Sequence, residues 1–223
     1  MQRRPVTMPA LRRHQLAYLS DTGWRHLLAQ PFPQDRLDCI ALWARERWPL
    51  VVTRQQDSPL VSLGLPAPLA FARQRIAVAV PVTSILWLDE FPRASHVLPL
   101  LPRKARPHFD ALLAGLRAVG ALPRAYGSYG WQLLTRQTYL RSTSDLDLLF
   151  CVEDEDHADA VAALLGDWPQ DLPRIDGEFL FPGGGAVAWR EWRQWRSSGA
   201  RSILVRGLRG ATLESEPWTR AYA

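Results

Sequence analysis

A short strand with two aspartates constrains this chain more than any other stretch. From Ser144 the sequence runs Ser-Asp-Leu-Asp-Leu-Leu-Phe, so one leucine separates Asp145 from Asp147. Side chains two positions apart on a strand project from the same face, whereas Leu146 and Leu148 face the other side. Two carboxylates on one face can bind one divalent cation, because Mg²⁺ prefers oxygen ligands. A solvated strand end is the alternative, which is disfavoured because the leucines hold both acids on one face.

A glycine–serine pair precedes this strand. The stretch Tyr126-Gly-Ser-Tyr-Gly130 opens a segment whose pattern predicts a helix over 128–136. The first turn of a helix leaves backbone N–H groups without internal partners, so Gly127 and Ser128 are candidates to bind phosphate. A phosphate-binding turn beside a pair of metal-binding carboxylates is what phosphoryl or nucleotidyl transfer requires.

A later hairpin offers a third carboxylate. Residues 174–181 and 186–192 predict two strands joined by the turn Pro-Gly-Gly-Gly at 182–185. Asp176 and Glu178 fall on one face of the first strand, and either one can complete a metal site. The second segment interleaves tryptophans with arginines, a pattern found in surfaces that stack on bases. We interpret Trp189, Trp192 and Trp195 instead as core residues, because large aromatic side chains are usually buried.

The remaining pattern predicts an α+β protein with two domains. We place a small N-terminal α+β domain at 1–88, with a helix over 35–48 and strands near 14–19, 50–53 and 73–80. Within it, residues 21–23 predict a turn and 61–68 a loop rich in glycine and proline. The second domain, 89–223, begins with a proline-rich connector and a helix over 108–119, and it contains every candidate site residue.

Composition excludes several protein classes. No run approaches the ~18 apolar residues of a membrane span, and the N-terminus lacks the apolar core of a signal peptide. We therefore expect a cytoplasmic protein without membrane association. The two cysteines, Cys39 and Cys151, have neither the spacing of a zinc site nor the number needed for a disulfide framework. We expect both to be small buried residues.

Charge is unevenly distributed along the chain. Residues 1–120 contain 16 Lys and Arg against 8 Asp and Glu, whereas residues 121–223 contain 11 against 14. A basic half suits an acidic protein, a polyphosphate or a nucleic acid, although solvated arginines need no ligand. Nucleic acid is the least favoured of the three, because unmetallated carboxylates repel a phosphate backbone.

These motifs together resemble a known family. The glycine–serine turn, the Asp-Leu-Asp strand and a later acid resemble the nucleotidyltransferase superfamily of the polymerase-beta type. The fuller set resembles the holo-acyl-carrier-protein synthases of malonate decarboxylase, also called phosphoribosyl-dephospho-CoA transferases (the MdcG family). That set adds Trp131–Thr135, Ile-Asp-Gly-Glu178, Val-Ala-Trp-Arg-Glu-Trp192, Trp48–Val52 and Gly64–Pro68. One departure is the 16 residues between Ser128 and Asp145, more than the superfamily usually shows.

The resemblance implies a fold and a reaction. The second domain would be a polymerase-beta-like nucleotidyltransferase domain with a mixed sheet flanked by helices. The enzyme would transfer phosphoribosyl-dephospho-CoA from 2′-(5″-triphosphoribosyl)-3′-dephospho-CoA to a serine of the apo acyl carrier protein of malonate decarboxylase, releasing pyrophosphate. Two alternatives stay open: another metal-dependent nucleotidyltransferase that adenylylates a protein, a small molecule or an RNA end, and a non-catalytic nucleic-acid-binding module.

The resemblance also implies residue roles. Asp145, Asp147 and Asp176 would bind Mg²⁺, with Glu178 the competing candidate for the third position. Gly127 and Ser128 would hold the leaving pyrophosphate, and Glu178 and Arg190 would contact the substrate. Since acyl carrier proteins are generally acidic, we hypothesise that the basic half docks the carrier through arginines at positions 3, 4, 12, 13, 45 and 47.

Overall fold

The computed structural model describes residues 11–216 and divides the chain into two compact units between Glu90 and Phe91. Each unit combines helices with one β-sheet, so the prediction of an α+β protein is confirmed. Arg3 and Arg4, two of the arginines in the docking hypothesis, lie outside the described residues. Within residues 11–216, no helix is both long and apolar enough to cross a membrane.

The first unit contains a five-stranded antiparallel sheet in the order β4-β3-β2-β1-β5. Its elements in residues 11–90 are β1 Leu16–Leu19, α1 Asp21–Leu28, α2 Gln34–Glu46, β2 Leu50–Val52, β3 Leu60–Pro66, β4 Arg75–Pro81 and β5 Ile85–Asp89, with 3-10 helices at Leu69–Phe71 and Val82–Ser84. Alternate residues of β3 and β4 are buried, as expected for strands that pack one face on a core.

Two predictions for this unit are wrong. Residues 21–23 begin helix α1 rather than form a turn, because the hydroxyl of Ser20 accepts a hydrogen bond from the Gly23 N–H at 3.1 Å and caps the helix. Residues 61–66 belong to strand β3 rather than to a loop. The first proline of that segment, Pro66, is the last residue of the strand, where proline is tolerated.

The second unit contains a six-stranded sheet in the order β11-β10-β9-β8-β7-β6. Its elements are 3-10 helices at Ala94–Leu100 and Arg103–Ala105, α3 Arg106–Ala118, β6 Arg124–Ala125, α4 Gly127–Thr135, β7 Leu146–Cys151, α5 Glu155–Gly166, β8 Ile175–Leu180, β9 Ala186–Ala188, α6 Trp189–Ser198, β10 Ile203–Arg206 and β11 Ala211–Glu214. β7 and β8 are parallel and the other neighbouring pairs are antiparallel, so the sheet is mixed as predicted.

One face of this sheet forms the core of the unit. Leu146, Leu148 and Phe150 of β7 are at most 1% exposed and pack in one cluster with residues of α3, α5 and α6. The alternation that buries these side chains turns Asp147 to the opposite face of the sheet. The helices therefore cover one face, and the candidate site lies on the other.

Two further predictions, for the tryptophans and for the cysteines, had mixed outcomes. The second strand of the hairpin ends at Ala188, and the tryptophans lie on helix α6 instead. Trp189 and Trp192 are 2% and 0% exposed, so their interpretation as core residues is confirmed and neither side chain can stack on a base. The expectation for the cysteines holds for Cys39, which is buried, and is wrong for Cys151, which is exposed.

Candidate active site

The pairing of β7 with β8 brings two of the predicted carboxylates together. Asp147 is directly opposite Asp176 in the parallel register, and Asp145 immediately precedes β7. Neighbouring strands are about 4.8 Å apart, so the carboxylates of Asp147 and Asp176 lie side by side on one face. Gly177 permits this close approach, since its φ of 145° is accessible essentially only to glycine and a Cβ there would lie 2.8 Å from the Leu148 carbonyl carbon.

Arg174 joins the third carboxylate to this pair. Its Nη2 atom lies 3.0 Å from Asp145 Oδ2 and 2.9 Å from Asp176 Oδ2, so one nitrogen bridges both acids. The side chains of Asp145 and Asp176 are 38% and 34% exposed, which leaves them open to solvent. Sequence reasoning missed Arg174, although its position directly before the strand that carries Asp176 was a usable signal.

Glu178 lies in a different environment from Asp176. In the sheet it is opposite Leu149 on one side and Ala188 on the other. The nearby guanidinium of Arg206 contacts Glu191 at 3.1 Å, and the pKa of Arg206 is raised chiefly by that hydrogen bond, with a smaller contribution from the charge of Glu178. The register thus places Asp176 opposite Asp147 and Glu178 opposite Leu149.

The glycine–serine turn lies against Asp147. Helix α4 starts at Gly127, one residue earlier than predicted, and its N-cap residue Tyr126 makes no side-chain capping hydrogen bond. The Tyr126 N–H donates to the carbonyl of Asp147 at 3.0 Å, which ties the start of the helix to β7. A Cβ on Gly127 would lie 2.7 Å from Asp147 Cγ and would overlap Oδ2. Gly127 and Ser128 are therefore adjacent to the carboxylate.

The 16 residues between Ser128 and Asp145 comprise the rest of helix α4, which ends at Thr135, and an ordered loop over 136–144. Gln132 of α4 accepts hydrogen bonds at its Oε1 from the N–H groups of Tyr139 and Leu140, both at 3.0 Å. Tyr139 is 3% exposed, so the loop is anchored in the interior. Closer to the site, the Ser144 hydroxyl accepts a hydrogen bond from the Arg141 N–H at 2.9 Å. These hydrogen bonds hold the chain that leads to Asp145 in a defined conformation. Sequence reasoning did not predict this role for Gln132.

Arg190 lies at the start of helix α6, beside the first residue of β8. Its Nη2 donates to the carbonyl of Ile175 at 3.0 Å, and its guanidinium carbon is 4.5 Å from the centre of the Trp189 ring. Ile175 stands between Arg174 and Asp176, so this guanidinium is near the acidic group. The side chain of Arg190 is exposed.

The acids have the correct chemistry for magnesium. Within residues 11–216, no three His, Cys, Asp or Glu side chains are arranged to hold a metal ion. Proteins usually bind Mg²⁺ through one or two carboxylates, with water and substrate phosphates completing the octahedron. Asp147 with Asp145 or Asp176 fits that mode, since the Gly127–Ser128 turn lies beside it for a phosphate.

Cys39 takes no part in this chemistry as a nucleophile. Burial raises the pKa of its thiol to about 12, so the thiol stays protonated at neutral pH.

Comparison with known proteins identifies the family. The family model described as phosphoribosyl-dephospho-CoA transferase MdcG, C-terminal domain, matches residues 90–217, and the N-terminal domain model of the same family matches residues 12–91. The chain belongs to the phosphoribosyl-dephospho-CoA transferase family. The resemblance predicted from the motifs is thereby confirmed, and the protein is a transferase.

Curated members of the family match most of the chain. A phosphoribosyl-dephospho-CoA transferase of Xanthomonas euvesicatoria pv. vesicatoria (strain 85-10) is 36% identical over 199 residues, covering 87% of this chain and 89% of the relative. One of Bradyrhizobium diazoefficiens is 32% identical over 206 residues, covering 90% and 88%. No solved structure matches the chain. The similarity spans both units, so the transferase assignment extends to the whole protein.

Proposed function

We propose that this transferase attaches phosphoribosyl-dephospho-CoA to a serine of the apo acyl carrier protein of malonate decarboxylase. The donor is 2′-(5″-triphosphoribosyl)-3′-dephospho-CoA and the second product is pyrophosphate. The observation that carries the proposal is the contact between the Gly127 backbone and the Asp147 carboxylate. This contact supports the proposal, because phosphoryl transfer from a polyphosphate donor requires a phosphate-binding turn next to a metal-binding acid.

The proposed step is an in-line substitution at the α-phosphorus of the donor. A bond forms between the carrier serine oxygen and this phosphorus while the bond to the bridging oxygen of the β-phosphate breaks, and pyrophosphate leaves. Asp176 accepts the proton of the serine hydroxyl. The N–H groups of the first turn of α4 and the Ser128 hydroxyl hold the leaving phosphates, and the exposed guanidinium of Arg190 contacts the donor.

Asp147 together with Asp145 or Asp176 would hold Mg²⁺, which when bound would offset negative charge on the phosphates. Donor phosphate oxygens would supply further ligands, because proteins usually bind Mg²⁺ through one or two carboxylates.

Modification of the carrier protein tests this proposal directly. Full-length protein, Mg²⁺, the triphosphoribosyl donor and apo carrier are expected to give a carrier whose mass increases by the prosthetic group. Asp145→Ala is expected to slow this reaction by a factor on the order of 10², the upper range for lost metal-site contacts. Asp110→Ala removes an exposed acid from α3, which packs on the other face of the sheet, and is the matched control.

Two outcomes would contradict the proposal. One is an unmodified carrier in the wild-type reaction, and the other is an equal rate for Asp145→Ala and Asp110→Ala. Pyrophosphate release from ATP and the other nucleoside triphosphates separates the proposed donor from a plain nucleotide. We expect little turnover with a plain nucleotide, whereas rapid turnover would favour a different nucleotidyltransferase reaction.

A further inference from the structure

Hydrogen bonds fix the backbone around Arg174, whereas its side chain is exposed to solvent. The Arg174 carbonyl accepts a hydrogen bond from the Leu146 N–H at 2.8 Å, and the preceding carbonyl, of Pro173, accepts one from the Trp168 indole N–H at 2.9 Å. These contacts fix its backbone at the start of β8, beside the first residue of β7. The side chain is 56% exposed, so the guanidinium can move while the backbone stays in place.

The guanidinium lies where a metal ion would compete with it. Its Nη2 contacts Asp145 at 3.0 Å and Asp176 at 2.9 Å, and both acids belong to the proposed metal set. A carboxylate oxygen that coordinates a dication is a poorer partner for an arginine, and the two cations repel each other at this distance. Binding of the metal and retention of the Arg174 bridge therefore oppose one another.

We propose that Arg174 is an exchangeable cation of this site, pairing with Asp145 and Asp176 before the metal binds and with the donor phosphates afterwards. The inference rests on the proposed function, since it assigns a second partner within the same site. Arginine suits the second state because its planar fork binds phosphate through two parallel hydrogen bonds. Its contacts with Asp145 and Asp176 hold the guanidinium beside the acid that is opposite Asp147, and the Gly127 turn lies on the Asp147 carboxylate.

The first test measures metal binding without donor. Mn²⁺ titration of the full chain, followed by the electron paramagnetic resonance signal of free Mn²⁺, gives a dissociation constant independent of activity. Arg174→Gln removes the competing cation and is expected to bind Mn²⁺ about five- to tenfold more tightly than wild type. Arg117→Gln removes an exposed arginine from α3, which packs on the other face of the sheet, and is expected to leave the constant unchanged.

The second test measures phosphate binding with Mg²⁺ present, using pyrophosphate as the probe. Arg174→Gln is expected to weaken pyrophosphate binding about tenfold, the cost of one charge-assisted contact. Arg174→Lys keeps the positive charge but loses the planar guanidinium. Its affinity for Mn²⁺ should therefore match that of wild type, and its affinity for pyrophosphate should lie between those of wild type and Arg174→Gln. The opposite signs of the metal and phosphate effects are the signature of exchange.

Several results overturn the inference. Unchanged or weaker Mn²⁺ binding by Arg174→Gln would mean that Arg174 only supports the carboxylates, as would unchanged pyrophosphate binding. Either result would leave the proposed function intact, provided that wild type binds Mn²⁺ and Asp147→Asn weakens that binding. Wild-type protein that fails to bind Mn²⁺, or binds it independently of Asp147, would remove the metal site and contradict the proposed function together with this inference.

Discussion

Gly127 determines how closely the turn at the start of α4 approaches the acidic group. Its φ of 58° is strained for residues with a side chain, and the space where a Cβ would lie is occupied by the carboxylate of Asp147. The backbone conformation therefore favours glycine here, and the contact with Asp147 excludes a side chain. A substitution of Gly127 affects both the backbone conformation and the contact with Asp147. Its control is therefore a substitution at a glycine that has a similar φ but no such contact.

Gly127→Ala is expected to displace the Asp147 carboxylate and weaken Mn²⁺ binding by about 10- to 100-fold. Gly199→Ala is the matched control, since Gly199 has a similar φ of 65° with no atom within 4 Å of the position of a Cβ. Both variants should lose roughly 1 kcal/mol of unfolding free energy to the strained φ. Mn²⁺ titration and urea unfolding measure the two effects. Equal metal affinities in the two variants would show that the contact with Asp147 is unimportant.

A second question at the residue scale is whether Asp176 or Glu178 is the third carboxylate of the site. The sequence left both open because they are two residues apart on one face of β8. The register favours Asp176, which is opposite Asp147, whereas Glu178 is opposite Leu149 and contributes to the electrostatic environment of Arg206.

We therefore expect Asp176→Asn to reduce the carrier-modification rate by a factor on the order of 10², in the range of lost metal-site contacts. Glu178→Gln should reduce the carrier-modification rate by less than about tenfold, because Glu178 is two residues beyond the position opposite Asp147. Single-turnover rates at saturating donor compare the two variants. A larger loss for Glu178→Gln would assign the third carboxylate to Glu178.

At the scale of elements, the site depends on the loop that joins α4 to β7. Gln132 of α4 accepts hydrogen bonds from two consecutive N–H groups of this loop. The helix that begins with Gly127 and Ser128 therefore also holds the loop that leads to Asp145. An acceptor that serves two buried donors is costly to remove, because both donors lose their partner.

Gln132→Met keeps the approximate length and volume of the side chain but removes the acceptor. We expect it to lower the unfolding free energy by about 1–3 kcal/mol, the cost of unsatisfied buried donors. Hydrogen exchange should also become faster at Tyr139 and Leu140. Gln194→Met, at an exposed position of α6, is the control for the added methionine. Unchanged exchange at both amides would show that Gln132 does not hold the loop.

At the scale of the whole molecule, the candidate site residues lie in the second unit. The excess of positive charge lies in residues 1–120, which comprise the first unit and the beginning of the second. Every candidate site residue falls within Phe91–Tyr222, and the hydrophobic cluster formed with α3, α5 and α6 contains only residues of that unit. In the first unit, Arg45 pairs with Glu46 and Arg47 with Asp21, both at 2.9 Å. Such exposed pairs contribute little to stability, so these arginines remain available to a partner.

The carrier-docking hypothesis predicts a selective effect of charge reversal. Arg45→Glu with Arg47→Glu should raise the KM for the carrier about five- to tenfold at low salt, because complementary charge steers association. The KM for the donor should not change, and the effect should fade as salt screens the charges. Arg201→Glu, an exposed site in the acidic half, is the control. An equal rise in both KM values would contradict docking through these arginines.

The sequence alone determined most of the second unit. Its apolar alternation predicted β7, and its helical spacing predicted α3. These features depend on local periodicity, which neighbouring residues decide. The wrong prediction of a loop in the first unit has the opposite cause. Leu60–Pro66 is a strand because β2 and β4 pair with it, and its local composition predicts a loop.

For the site, the sequence by itself determined which residue types are present and which pairs share a face: Asp145 with Asp147, and Asp176 with Glu178. Only the tertiary structure decided that Asp176 is opposite Asp147, that Gly127 lies on that carboxylate, and that Arg174 bridges Asp145 and Asp176. The physical reason is that strand register and helix docking depend on contacts between residues far apart in the chain, which periodicity within one segment cannot specify.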